Sequence, residues 1–125
     1  MIAYLIVFAG AGLGGAMRHG VNLAALRLFG PDFGYGTLFV NIVGSFAMGA
    51  LAAYLALKGE IGQPWRLFLA TGVLGGFTTF SAFSLDAALL YERGELGLTA
   101  LYILASVAGS VAALFAGLAI VRQLG

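Results

Sequence analysis

Long uncharged apolar runs, separated by brief polar interruptions, set the organisation of this chain. The first run covers about residues 2–28 and stops at Gly30-Pro31-Asp32. The second covers about 36–57 and stops at Lys58-Gly59-Glu60. Pro64 precedes a third run, about 65–91, which the turn Glu92-Arg93-Gly94-Glu95 closes. The fourth covers about 96–121 and ends at Arg122. Roughly 20 mostly apolar residues suffice to cross a bilayer as a helix. The pattern therefore predicts an all-α membrane protein, a single domain over residues 1–125 with four transmembrane helices. The connections are short, so consecutive helices are expected to run antiparallel. No linker, low-complexity stretch or internal repeat interrupts the scheme.

Composition strengthens this reading. Charged residues make up 9% of the chain and hydrophobic residues 62%, with a mean hydropathy of +1.04. A soluble domain carries about 25% charged residues, so too few polar groups are present to coat a water-facing surface. The N-terminus, Met1-Ile2-Ala3-Tyr4, lacks the basic region of a secretory signal, and the first run is expected to be retained as a span. A net charge of +1 without any basic stripe argues against a nucleic-acid partner. The absence of cysteine excludes disulfides and thiolate metal sites, and the single His19 builds no histidine cluster.

The few charges are evenly split. With four spans, Lys58, Arg66 and Arg122 fall on one side, and Arg18, Arg27 and Arg93 on the other. Orientation normally follows an excess of Lys and Arg on one face. An even tally points to insertion in both orientations, against the plainer view that six charges are too few to reveal a preference. Four helices alone leave little room for a polar path. An antiparallel homodimer, with its two-fold axis in the membrane plane, supplies one.

Small residues recur at four-residue spacing: Gly10 with Gly14, Ser45 with Gly49, Gly72 with Gly76, and Gly109, Ala113 and Gly117. They are read as packing seams between helices in lipid.

The stretch with most chemical content is Gly72-Val73-Leu74-Gly75-Gly76-Phe77-Thr78-Thr79-Phe80-Ser81-Ala82-Phe83-Ser84, in the middle of the third span. Paired glycines and paired threonines are poor helix formers, which predicts a broken third helix. Irregular backbone at that depth must be buried or line an aqueous cavity, and its freed carbonyls can coordinate a cation. A kinked helix with hydroxyls bonded to its own carbonyls is the simpler alternative. Phe80 and Phe83 share a helix face if helix resumes there, and aromatic ring edges are electropositive. Asn41 places an amide inside the second span, either as an interhelical bond or as a donor to a passing anion. Tyr102, Ser106 and Ser110, four residues apart, form one hydroxyl stripe on the fourth helix. Arg18 and Asp86 are assigned to vestibule or packing roles. A lining of amide, hydroxyls and ring edges suits a small anion, which must both enter and leave.

Gly14-Gly15-Ala16-Met17-Arg18, the segment Gly36-Thr37-Leu38-Phe39-Val40-Asn41-Ile42-Val43-Gly44-Ser45-Phe46, and the run from Gly72 to Ser84 resemble signature segments of the CrcB/Fluc fluoride channel family. The resemblance extends over essentially the whole chain. It implies passive fluoride export across the cytoplasmic membrane of a microbe, giving fluoride resistance, by an antiparallel dual-topology homodimer. It implies an anion pathway through Asn41, Thr79, Phe80, Ser81, Phe83, Tyr102, Ser106 and Ser110. It also implies a structural sodium ion on the dimer axis, held by the backbone carbonyls of Gly75 and Thr78. Ala82 stands where many relatives carry Thr, which removes one hydroxyl beside the aromatics.

Two other classes remain in view. Small proton-coupled exporters of dual topology have similar size, but they depend on a membrane-embedded Glu in the first helix, and no acid precedes Asp32 here. A non-transporting assembly subunit would have no pathway. An enzyme is the poorest fit, since no acid–base pair or nucleophile constellation lies at membrane depth.

Overall fold

The computed structural model describes residues 1–58 and 62–125. Of the turn signal Lys58-Gly59-Glu60, Gly59 and Glu60 lie outside the described residues. The described chain is helical: α1 (Ile2–Phe29), α2 (Tyr35–Lys58), α3 (Gln63–Arg66), a π-helical stretch (Leu67–Leu74), α4 (Gly75–Phe77), α5 (Ser81–Glu92) and α6 (Leu96–Leu124). Four stretches, Ile2–Phe29, Tyr35–Leu57, Gln63–Glu92 and Leu96–Leu124, are long and apolar enough to cross a membrane. In their most apolar windows only 11% to 22% of residues are buried. Large apolar side chains such as Leu5, Phe8, Leu104 and Phe115 point outward. Water would penalise such a surface, whereas lipid does not; this is a multi-pass membrane protein.

The ends of the helices follow local chemistry. Pro64 sits in the first turn of α3, where its missing N–H costs nothing. Gly94, at φ +79, lets the chain reverse between α5 and α6 within a few residues. Its N–H bonds the Tyr91 carbonyl at 3.0 Å, and Glu95 N–H reaches back to Leu90 O at 3.1 Å.

The third span changes its winding along its length. Gly75 N–H donates to Ala70 O, five residues back, in the wide turn of a π-helix, a form often found at functional sites. After the short α4, Thr78 becomes extended (φ −88, ψ 163) and regular helix resumes only at Ser81. Adjacent glycines followed by two β-branched threonines weaken the helix at this point.

Packing rests on backbone-to-backbone approach. α2 lies chiefly against α6, and α1 against the π-helical stretch and α4. Gly14 and Gly76 bring α1 onto the third span: a Cβ at Gly14 would run into Val73 O, and one at Gly76 into Ala11 O. Gly49 and Gly117 do the same for α2 and α6, where a Cβ at Gly117 would meet Phe46 O and stand 2.8 Å from Ala50 N. The small buried cluster of Phe83, Leu90 and Tyr102, flanked by Phe33, Leu38 and Ala87, ties α5 to α6.

These seams yield a sign test within one helix. Ala is ordinarily favoured over Gly in a helix by roughly 0.5–1 kcal/mol. Gly97, which has open space around it, should gain from Gly97→Ala. Gly117→Ala should instead lose about 1–3 kcal/mol through overpacking. Thermal unfolding of the two variants in detergent should move in opposite directions.

Candidate functional site

Main chain that leaves a helix inside a membrane needs substitute partners, and α2 supplies them. Asn41 Nδ2 donates to Thr79 O at 2.9 Å, and Thr79 N–H donates to Asn41 Oδ1 at 2.8 Å. One side-chain amide thus pairs with both polar groups of a residue 38 positions away, as a second peptide unit would. Thr79 Oγ1 in turn accepts the Ala82 N–H at 3.1 Å, the service an N-cap hydroxyl gives a new helix. Thr78 closes the preceding turn, with both its N–H and its Oγ1–H donating to Leu74 O. From α1, Arg18 Nε donates to Gly76 O at 3.1 Å.

These bonds redirect donors. In a continuous α-helix, the N–H of residue i occupies the carbonyl of residue i−4. Thr79 N–H would serve Gly75 O, and Ala82 N–H would serve Thr78 O. Both are instead taken by side chains, so these two carbonyls lose their regular donors. Main-chain oxygens so released are hard ligands of the kind that suits an alkali or alkaline-earth cation.

Beside the interruption lies a cavity of about 360 Å³, bounded by α2, residues 78–83 and α6. Its polar lining is Asn41, Ser45, Thr78, Thr79, Ser106 and Ser110; Phe80 and Phe83 add two rings, and none of its lining side chains is charged. Ser106 Oγ and Ser110 Oγ are buried without any hydrogen-bond partner among the described residues. Back-bonding to the helix therefore does not account for either hydroxyl. The Phe80 and Phe83 ring centroids are 5.4 Å apart. Phe80 is nevertheless 76% exposed, so a single copy leaves one side of it uncovered.

Tyr102 departs from the serine stripe. It is fully buried, stacked on Phe83 at 5.5 Å and edge-on to Phe33 at 5.1 Å. Its hydroxyl donates to Asp86 Oδ2 at 2.9 Å. Asp86 lines a second, more polar cavity of about 300 Å³, shared with Asn22, Asp32, Thr37, Ala82 and Arg93. Within that lining, Arg93 donates to the Asp32 carbonyl. The Tyr102 ring is thus held against Phe83, which lines the first cavity, and its hydroxyl against Asp86, which lines the second.

Of the residues singled out from sequence, Asn41, Thr79, Phe80, Phe83, Ser106 and Ser110 come together around the uncharged cavity. Ser81 is exposed, Tyr102 lies against Asp86, and Gly75 is exposed. Arg18 packs against the third span at Gly76, and Asp86 opens onto the second cavity. Ser45 and Met48 also line the first cavity. They follow Asn41 by four and seven residues, a helical spacing that marks the shared face. The Thr78 side chain is a further wall of that cavity. No spacing signals the pairing of Asn41 with Thr79 or of Arg18 with Gly76.

Comparison with known proteins agrees across the whole chain. The family model described as CrcB-like protein, Camphor Resistance (CrcB), matches residues 5–118. A protein of Nitrobacter hamburgensis named fluoride-specific ion channel FluC 2 is 61% identical over 121 residues, 97% of this chain and 98% of that one. The fluoride-specific ion channel FluC of Methylobacterium nodulans is 59% identical over the full length of both. The protein of that name from Agrobacterium fabrum is 55% identical over 99% of each.

The unpartnered serines allow a test of site against scaffold. A buried hydroxyl without a partner contributes nothing to folding and costs desolvation on the order of 1–3 kcal/mol. Ser106→Ala and Ser110→Ala should therefore leave thermal stability in detergent unchanged or raised. A clear loss of stability would show that these oxygens hold the bundle together.

Proposed function

The chain belongs to the CrcB-like family, and from that premise we infer that it is a fluoride-specific ion channel, not an enzyme, which exports fluoride passively and so confers fluoride resistance. The observation that carries this reading is the uncharged cavity in which the Asn41 amide, two phenylalanine rings and two unpartnered serine hydroxyls converge. A fluoride ion gives up tightly bound water only to strong donors. Here it meets N–H and O–H groups and the electropositive edges of rings. With no fixed positive charge in the lining, the ion is not trapped, and entry and exit both remain feasible.

The working unit in this reading is an antiparallel homodimer of oppositely inserted copies in the cytoplasmic (inner) membrane. It is supported by the even division of Lys and Arg between the two sides. It is supported too by the exposure of Phe80 and Gly75, which a second copy would cover. A path at the edge of one four-helix protomer becomes enclosed when a partner closes it. The fluoride pathway then comprises Asn41, Thr79, Phe80, Ser81, Phe83, Ser106 and Ser110, with Tyr102 at its end and Asp86 in the adjoining vestibule.

A structural sodium ion on the dimer axis completes the reading. The two carbonyls released at Gly75 and Thr78 fit it, and their counterparts in the second copy would double the oxygen set. When bound, it supplies positive potential next to an otherwise neutral anion path and links the two copies.

Purified protein in liposomes should release fluoride rapidly without a proton gradient and retain chloride, read with ion-selective electrodes. Phe80→Ile and Asn41→Asp should each nearly abolish the flux. Fluoride movement that strictly required a counterflow of protons would replace the channel with an exchanger. Cysteine crosslinks found only between like-oriented copies would remove the antiparallel dimer.

A further inference from the structure

We propose that Asn41 and Thr79 are positioning residues for the axial cation, whose side chains keep the Gly75 and Thr78 carbonyls free by capturing the two N–H groups that would otherwise occupy them. The inference rests on the reading of these carbonyls as a sodium site. It goes beyond the anion-donor role of Asn41, because the side chains concerned never touch the cation.

Two observations converge. Asn41 Oδ1 takes the Thr79 N–H at 2.8 Å, which removes the helical donor of Gly75 O. Thr79 Oγ1 takes the Ala82 N–H at 3.1 Å, which removes the helical donor of Thr78 O. Two captures, at positions three residues apart, release two carbonyls three residues apart. The first capture is reinforced, because Asn41 Nδ2 also holds Thr79 O at 2.9 Å. With both its polar groups engaged, the Thr79 main chain cannot rewind into helix without breaking two bonds.

The arrangement has a functional corollary. The Asn41 amide also lines the uncharged cavity, so one side chain serves the anion path and the cation cradle together. Ser106 and Ser110 line the same cavity but bond nothing at the interruption. Damage to the anion path alone, and damage to both sites, are therefore separable by choice of residue.

Groups that orient metal ligands without binding the metal typically change affinity by about 10- to 100-fold when removed. The readout is the sodium concentration that gives half the maximal rise in unfolding temperature of the detergent-solubilised protein. Sodium is exchanged against N-methylglucamine at fixed ionic strength, and unfolding is followed by fluorescence of the single Trp65. Thr79→Val keeps the side chain's shape and the Asn41 pair but removes the Ala82 acceptor. It should raise that midpoint by about tenfold or more, and Asn41→Leu should do so at least as strongly. Thr79→Ser should restore it, and Ser106→Ala should leave it in place while slowing fluoride. A wild-type midpoint in Thr79→Val overturns the proposal, even if Asn41→Leu does not fold. A wild-type protein indifferent to sodium instead removes the cation reading beneath it.

Discussion

Inside a bilayer, every main-chain N–H and C=O must find a partner within the protein. This constraint governs the centre of the molecule. Once Gly75-Gly76 and Thr78-Thr79 weaken the third span, the polar groups around Thr79 become a liability that a neighbour must answer. Asn41 does so from α2, Thr79 Oγ1 does so locally, and Arg18 reaches in from α1. The polar chemistry beside the cavity is thus the means by which irregular backbone is tolerated there, and the released carbonyls are its by-product.

Four long apolar helices were legible because the apolar runs are long and their polar stops abrupt. Polar residue types within them were legible too, since an amide or hydroxyl in hydrocarbon stands out against Leu, Val and Ala. What could not be read was who partners whom. Asn41 and the Thr-Thr pair are each conspicuous, yet their meeting depends on how α2 crosses the third span. Tyr102, Ser106 and Ser110 share a helical face, but a longer side chain carries the Tyr hydroxyl to Asp86, away from the serines. Ser45 looked like a packing residue beside Gly49, and it is also part of the cavity wall. Periodicity fixes a face; the reach of a side chain decides what it meets.

The two cavities differ in character although they lie close together. One is neutral, with rings and small hydroxyls; the other contains Asp32, Asp86 and Arg93. Tyr102 stands between them in a column of aromatics from Phe80 through Phe83 to Phe33. Gly34 permits this column to seat, because a Cβ there would fall 2.6 Å from the Tyr102 hydroxyl and 2.5 Å from Asp86 Oδ2. In the proposed pathway, an ion passing from the charged cavity to the neutral one would exchange water and charged neighbours for fixed dipoles over a short distance.

The glycine seams bear on how the fold responds to heat. α2 and α6, like α1 and the third span, meet through main-chain atoms, and few large side chains are withdrawn from their surroundings. In lipid, such contact is favoured by close atomic fit rather than by the release of ordered water. The large heat-capacity change of soluble proteins arises from hydrating apolar surface on unfolding. A bundle that exchanges helix contacts for lipid contacts has little of that term, so its stability should vary nearly linearly with temperature and lack the cold-side decline familiar in aqueous domains.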